Sequence, residues 1–438
     1  MNVVNHTPFP AQAFEAIDQH AQRFHVFVLR QTLDFSSGAL EYADRQEPLC
    51  DKDAYFGEGF SGGVRQESDY CPYKPKCDVI VNAVAHAPKG QEVATFLVGL
   101  NVVRGGEKLI EKVLKISGRR YFKKKASPVL FLQWLVKWGS FCLFMPNPWK
   151  LTNPELCKSL PLRAEYSYGG ECRIGADDPA ARCVPAKYRL TPEQAAAHPD
   201  VQLAGMKPPV AHVVYEPNAQ GVGFAPAWYQ KACRTACIAA PQVENPRTPI
   251  TARQFWRARG SPSVEPAGFG IRGKLHPARR AMLGVVDDAF VNSDAPLPEG
   301  FDFEIWNAAQ PDQQVDFLTG TDVIELFNLC RADTAGVQET DKGNAVLRLT
   351  LPEHECFLLM QLEDGDVRLR PLSIDTVIVE PETHHLTLVW RAVISIDDVS
   401  GINLCEFGIR SFSERDSARC RESVTPVAIS NTGVVVEL

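Results

Sequence analysis

An apolar run behind a proline-stiffened bend constrains the fold of this chain more than any other stretch of its sequence. The bend holds Pro72 and Pro75, and the run covers residues 79–87. Proline fixes its own φ and pushes the residue before it toward extended conformations, so the bend should be stiff. The run is too short for a comfortable helix, and both of its strand faces are mostly apolar. It therefore predicts a buried central β-strand.

Alternating apolar and polar residues predict antiparallel strands at both ends of the chain. Residues 25–35 and 39–42 form one expected hairpin, and residues 95–103 and 108–116 form another across two glycines. Between residues 345 and 396 the alternation recurs and predicts a β-meander with one inward face. The expected fold class is mainly β, with antiparallel sheets in a sandwich-like or barrel-like arrangement, a few short helices and long irregular loops.

The middle of the chain is rich in proline and glycine and carries three short helix signals. Thr191 precedes proline and is followed three residues later by Gln194, which is the pattern of a capping box. Thr248 could open a second helix that Gly260 closes, and residues 228–239 predict a third. We expect an N-terminal β region at 1–170, a loop-rich central region at 171–335 and a C-terminal meander at 344–438.

Composition and charge favour a protein of the cytoplasm that does not bind nucleic acid. The chain has 438 residues and a net charge of −7, which gives a nucleic-acid partner no electrostatic support. Thirteen cysteines scattered over this length indicate reduced thiols rather than a disulfide framework. The N-terminus lacks the pattern of a secretory signal.

One apolar segment, residues 129–145, raises the question of a membrane span. It falls short of the roughly 20 apolar residues that a span needs and contains Gln133 and Lys137. It is better interpreted as a buried or partner-binding element, so no membrane span is expected.

Residues 59–63 match the nucleophile-elbow pattern of serine hydrolases, with Ser61 as the candidate nucleophile. That pattern needs a strand before the serine and a helix after it, so that the hydroxyl lies exposed on a strained turn. Two prolines and no helical period follow here, so a flexible glycine turn is the favoured interpretation.

Candidate metal ligands are few. Cys233 and Cys237 stand four residues apart on an expected helix, but a zinc site needs two further ligands. For both this pair and the pair Cys71 and Cys77, thiols packed in the protein interior are favoured over a metal site. His354 lacks the second histidine of the zinc-protease motif, and no phosphate-binding glycine loop occurs. The sequence therefore predicts a binding protein without cofactor or metal rather than an enzyme.

Several segments, read together in order, resemble one protein family. They are residues 7–10, 24–28, 65–88, 161–170, 218–224, 266–270, 277–280, 301–303, 307–309, 311–314 and the strand with Trp390-Arg391. The ordered set is similar to the type VI secretion adaptor family that is catalogued as a domain of unknown function, number 2169. Residues 123–160, 175–215 and 226–265 look longer than the family's usual connections.

The resemblance implies a cytosolic adaptor or chaperone of type VI secretion. Such a protein stabilises an effector, often through its PAAR region, and helps to load the effector onto the VgrG spike. The resemblance brings no catalytic residues with it. The alternatives are a hydrolase that uses Ser61 and a structural component of the secretion apparatus.

Aromatic residues of the apolar segment are the candidate surface for binding the effector, which is the client of such a chaperone. They are Phe131, Trp134, Trp138 and Phe141. Aromatic anchors commonly dominate interfaces, although the same side chains could instead fill the protein's own core.

Overall fold

The computed structural model describes residues 2–57, 62–125, 147–204, 207–284, 297–396, 401–412, 427–429 and 435–437. Strands make up 41% of the structure and helices 13%, which confirms the mainly β prediction. Every sheet formed by the described residues is open, with two edges, so none of these sheets closes into a barrel.

The described residues form thirty strands, most of them short. The first eleven are β1 Asn2–Asn5, β2 Ala11–Ile17, β3 Arg23–Asp34, β4 Glu41–Tyr42, β5 Ala54–Tyr55, β6 Val64–Gln66, β7 Cys77–Val81, β8 Val84–His86, β9 Thr95–Arg104, β10 Glu107–Ser117 and β11 Tyr121–Lys124. The middle of the chain adds β12 Trp149–Leu151, β13 Ser159–Pro161, β14 Tyr168–Gly169, β15 Glu171–Ile174, β16 Ala211–Val214, β17 Val222–Gly223, β18 Cys237–Ala239 and β19 Val243–Glu244. The remainder are β20 Gln314–Val315, β21 Val323–Phe327, β22 Gln338–Glu339, β23 Ala345–Thr350, β24 His354–Leu362, β25 Val367–Pro371, β26 Ser373–Glu380, β27 His385–Ser395, β28 Ile402–Ser411, β29 Val427–Ile429 and β30 Val435–Glu437.

The α-helices in the described residues are single or double turns. They are α1 Pro192–Ala196, α2 Pro199–Ala204, α3 Ala227–Ala232, α4 Ala252–Arg257 and α5 Pro277–Arg280. Turns of 3₁₀ helix occur at Pro88–Gly90, Ala164–Tyr166, Pro179–Cys183, Ala186–Tyr188, Ala281–Leu283, Phe303–Trp306 and Pro311–Gln313.

Two of the three helix predictions need correction at their ends. The capping box on α1 is confirmed, because Thr191 and Gln194 bond each other's backbone N–H groups. α4 begins after Thr251 rather than Thr248, because Thr251 forms the capping box with Gln254. The third helix ends at Ala232, and residues 237–239 are a strand instead.

The chain forms two compact units that are discontinuous in sequence. One contains residues 1–90, 98–113 and 269–438, and the other contains residues 91–97 and 114–268. The hairpin of β9 and β10 contributes residues to both units. Grouping by contacts thus differs from the three consecutive regions expected from the sequence.

The first unit is organised around a seven-stranded mixed sheet. Its strand order is β2-β3-β27-β26-β7-β20, and β4 pairs with the end of β3 beyond β2. β7 runs parallel to β26, whereas the other pairings are antiparallel. The predicted central strand is confirmed over residues 79–81, since every residue of β7 is buried. The expectation that one strand continues to residue 87 is wrong, because β7 ends at Val81 and β8 lies outside the seven-stranded sheet.

A four-stranded sheet of the same unit packs on this sheet. Its order is β1-β28-β24-β25, with β1 parallel to β28. The rings of Phe27 and Phe407 join the two sheets with centroids 6.0 Å apart, and His354 stacks on Trp390 at 5.9 Å. This arrangement fits the expected sandwich.

The strands of the C-terminal third form as predicted but do not make one meander. β23 pairs with β21 and β22, β24 and β25 belong to the four-stranded sheet, and β26 and β27 belong to the seven-stranded sheet. β27 is buried on both faces over almost its whole length, so it has no single inward face.

The second unit has smaller sheets and its own core. β11 pairs with β12 and β18, and β15 pairs with β16. Phe122 and Phe255 stack with centroids 4.3 Å apart in a cluster with Trp149 and Tyr168. Arg120 is buried there in an ion pair with Glu244.

Candidate functional site

Asp78, at the start of β7, is a fully buried carboxylate with four hydrogen-bond donors around it. Its oxygens accept from the backbone N–H groups of Ala308 (2.9 Å) and Ala309 (3.1 Å) and from the Asn307 side chain (3.1 Å). The fourth donor is the Lys74 ammonium at 2.8 Å. A buried charge is tolerated when it is paired and hydrogen-bonded in this way. Asp78 therefore fixes the 307–309 loop to the edge of the sheet.

Lys74 forms the cationic half of this pair. Its Nζ donates to Asp78 and to the Thr376 hydroxyl at 2.7 Å. Burial alone would lower the pKa of Lys74, but the charge and hydrogen bond of Asp78, together with the nearby Cys71 and Asp375, raise that pKa above its ordinary value. The ammonium is thus held protonated, so it does not suit the role of a general base or an amine nucleophile.

Gln313 closes the edge of the sheet beyond β7. This fully buried side chain donates to the backbone carbonyls of Val79 (2.7 Å) and Phe269 (2.9 Å). The Phe269 carbonyl also accepts from the Val81 N–H at 3.0 Å. Together with the two residues of β20, these bonds occupy backbone groups that an edge strand would otherwise expose.

Two buried arginines tie distant segments to the bend before β7. Arg391 on β27 donates to the carboxylate of Asp375 and to the carbonyls of Asp69 and Cys71. Arg279 on α5 donates to both oxygens of Glu67 at 2.6 and 3.0 Å. Bidentate pairs of this kind fix orientation as well as charge.

We use the name signature cluster for Lys74, Asp78, Arg279, Gln313 and Arg391. Its members come from segments that are far apart in the sequence, namely 65–88, 277–280, 311–314 and the β27 strand. From the sequence, this part of the chain is expected only to form a stiff bend and a buried strand. The signal that could have revealed the cluster is a lysine and an aspartate four residues apart at the entrance to a buried strand.

A small cavity adjoins the signature cluster. Lys74, Arg391, Thr376 and residues 66–69 line it, and its volume is about 10 Å³. A cavity of this size holds about one water molecule. It is too small to be a substrate pocket.

An open groove lies at the opposite edge of the same sheet, beside β3 and β4. Its volume is about 840 Å³. Five carboxylates and two arginines line it, and the carboxylates are those of Asp34, Glu41, Asp44, Glu47 and Asp51. We call this surface the acidic groove. Arg30, at its floor, is already paired with Asp69 (3.1 Å) and Glu47 (2.8 Å), so the groove favours a cationic partner.

The thiols nearest the signature cluster are inert by burial. Burial is the main cause that raises the pKa of Cys71 and of Cys77 above the ordinary thiol value. Both are free, buried cysteines, as expected from the sequence.

The expectation that Cys233 and Cys237 share a helix is wrong. Cys233 caps the C-terminus of α3, and Cys237 begins β18. The chain turns between them at Arg234, whose φ is +50°, which ends the helical path. In the parts of the chain that the structure describes, no three His, Cys, Asp or Glu side chains are grouped as metal ligands.

Several predicted site residues lie outside the described residues. They are Ser61, the candidate nucleophile, and the four aromatic residues proposed for client binding, Phe131, Trp134, Trp138 and Phe141. Within the described ranges, no helix is both long and apolar enough to cross a membrane.

Comparison with known proteins gives a family and nothing closer. No curated protein and no solved structure matches the chain. A family model described as an uncharacterized protein conserved in bacteria, DUF2169, matches residues 20–391. That range includes every residue of the signature cluster. The chain belongs to the DUF2169 family.

Proposed function

We propose that this protein is a cytoplasmic adaptor or chaperone that binds a type VI secretion effector through its PAAR-containing region and helps to load it onto the VgrG spike. The resemblance of the ordered segments to type VI adaptors motivates the proposal, since the family itself has no assigned function. The signature cluster is the structural observation that carries it.

The cluster supports binding rather than catalysis because its charges are already committed to each other. Lys74 and Asp78 neutralise one another, and the adjoining cavity holds no more than a water molecule. A catalytic centre needs a titratable group poised near the working pH in a pocket that admits a substrate. The cluster instead makes a rigid sheet edge, which suits a scaffold that presents its remaining surface to a protein partner.

Capture and solubility of the effector test the proposal. The tagged protein, expressed in its native host, should capture one PAAR-containing effector together with VgrG. Deleting the protein should make that effector insoluble. Capture of assembled sheath or baseplate instead, or no change in effector solubility, would contradict the adaptor role.

The apolar segment provides a second, more local test. Trp134→Ala combined with Trp138→Ala should weaken effector capture while the thermal unfolding midpoint stays unchanged, if these side chains contact the client. Loss of folding would assign them to the protein's own core. Labelling of Ser61 by a fluorophosphonate probe, lost in Ser61→Ala, would favour a hydrolase instead.

A further inference from the structure

The outer edge of β2 carries a regular row of backbone groups without a partner among the described residues. The Arg30 N–H donates to the Pro10 carbonyl at 2.9 Å, so residue 10 and every second residue after it point their backbone groups toward β3. The N–H and C=O groups of Ala11, Ala13, Glu15 and Ile17 therefore point outward. Among the described residues, no bond to these groups is present.

β2 itself, in its sequence and register, lacks the features with which proteins usually protect an exposed strand. β2 is seven residues long and pairs with β3 in unbroken register, without a bulge. It contains no proline, and Glu15, whose side chain is 56% exposed, is its only charged residue. A long, regular edge of this kind is a template for a further strand.

The acidic groove continues this edge past the N-terminal end of β2. Arg30 and Tyr42 line the groove. The Arg30 N–H bonds the carbonyl of Pro10, directly before β2, and the ring centroids of Tyr42 and Phe9 are 5.3 Å apart. A chain that pairs with β2 can therefore extend into the groove. Its side chains would meet Glu15 first and then the groove carboxylates.

We propose that the outer edge of β2 and the acidic groove form one docking site for an extended, basic strand of a partner protein. The partner adds a strand to the seven-stranded sheet, and its lysines or arginines face the carboxylates. Only the identity of that partner, the effector, rests on the proposed function. A second copy of this chain fits less well, because its net charge of −7 would bring acidic surfaces together.

A peptide probe tests the site on the full-length protein. The probe is a fluorescent ten-residue peptide of alternating valine and lysine, and its binding is followed by anisotropy. Ala13→Pro removes one outward N–H, whereas the inward bonds to β3 stay intact, and edge strands tolerate proline at such positions. We expect Ala13→Pro to weaken binding about ten-fold or more, because it removes one hydrogen bond and blocks close approach.

Matched controls separate backbone pairing from charge. Ala13→Ser keeps the N–H and should bind as the parent does. The same peptide with alternate backbone nitrogens methylated should not bind, and neither should a peptide of valine and glutamate. Glu15→Gln should weaken binding more than Glu107→Gln, which removes an exposed charge from β10.

Three results would overturn the inference. They are absence of binding by the valine–lysine peptide, equal binding by the parent and Ala13→Pro, and a dimer of the parent that Ala13→Pro abolishes. Circular dichroism and the unfolding midpoint must show that the proline variant is folded. If the proline variant is not folded, binding of the methylated and the unmethylated peptide to the parent protein is compared instead, and equal binding would overturn the inference.

Effector capture separates this inference from the proposed function. If the parent and Ala13→Pro capture the same effector equally well, the docking site is wrong and the adaptor role stands. If no effector is captured but peptide binding depends on position 13, the adaptor role is wrong and the docking site stands.

Discussion

The two edges of the seven-stranded sheet are built in opposite ways. Beyond β7, the edge is closed by a two-residue strand, by Gln313 and by the loop that Asp78 holds. At β2, a regular seven-residue strand ends the sheet, and its outward backbone groups have no assigned bond among the described residues. The closed edge uses buried charges and side-chain amides, whereas β2 itself carries only one charged side chain, Glu15.

This contrast indicates that a partner should be sought at the β2 edge rather than at the β7 edge. Sealing one edge requires segments that are more than 200 residues apart in sequence, since Asp78 bonds Ala309 and Gln313 bonds Val79. Those segments include the ones by which the chain resembles its family. They hold the sheet at β7, whereas among the described residues nothing pairs with the outer edge of β2, which is where we propose that a partner binds.

Asp78→Ala should lower stability more than any other change proposed here, and it acts on the closed edge of the sheet. It leaves the Lys74 ammonium buried without its carboxylate and frees the N–H groups of Ala308 and Ala309. We expect the free energy of unfolding to fall by about 3–5 kcal/mol, measured by urea denaturation.

Asp44→Ala, in the acidic groove, is the matched control for that change. Its side chain is exposed, so the free energy of unfolding should stay within about 0.5 kcal/mol of the parent. A loss below 1 kcal/mol for Asp78→Ala would show that this edge is not held by its charge pair.

Gln313→Ala should have a smaller effect on the same edge. It removes the donor for two buried carbonyls, those of Val79 and Phe269, and should cost about 1–3 kcal/mol of unfolding free energy. Gln12→Ala changes the same residue type on the open edge, where the side chain is exposed, and should cost less than about 0.5 kcal/mol. Equal costs at the two positions would remove the distinction between the edges.

Acid should weaken the packing of the two sheets through His354. Burial lowers the pKa of His354 to about 4, and its Nε2 accepts from the Gln31 amide at 3.1 Å. The unfolded chain takes up this proton near the ordinary histidine pKa of about 6.5, whereas the folded chain resists until about pH 4. This contribution is therefore complete above about pH 6.5 and is lost as the pH falls.

Denaturation at a series of pH values measures this effect. His354 should add at most about 1.4 kcal/mol per pH unit to the slope of unfolding free energy between about pH 6.5 and 4. His354→Gln should flatten the slope there. An unchanged slope would mean that His354 has the same pKa in the folded and the unfolded chain.

Local structure was predictable from the sequence, but long-range partners were not. The buried strand at β7, the β3–β4 and β9–β10 hairpins and the Thr191 capping box follow from short-range patterns, and all are confirmed. The parallel pairing of β7 with β26 joins residues about 300 positions apart, which no local period encodes. No local pattern shows the four donors around Asp78 either, because they come together only in the folded chain.

The prediction that Cys233 and Cys237 share a helix failed because Arg234, a residue with left-handed backbone conformation, ends the helix between them.

Amide hydrogen exchange of the free, full-length protein tests the difference between the two edges most directly. Amides of Cys77–Val81 should all exchange slowly, because both sides of β7 are occupied. In β2, protection should alternate, with Gln12, Phe14 and Ala16 slow and Ala13, Glu15 and Ile17 fast. Uniform protection along β2 would contradict an open edge, and rapid exchange of Val79 and Val81 would contradict a sealed one.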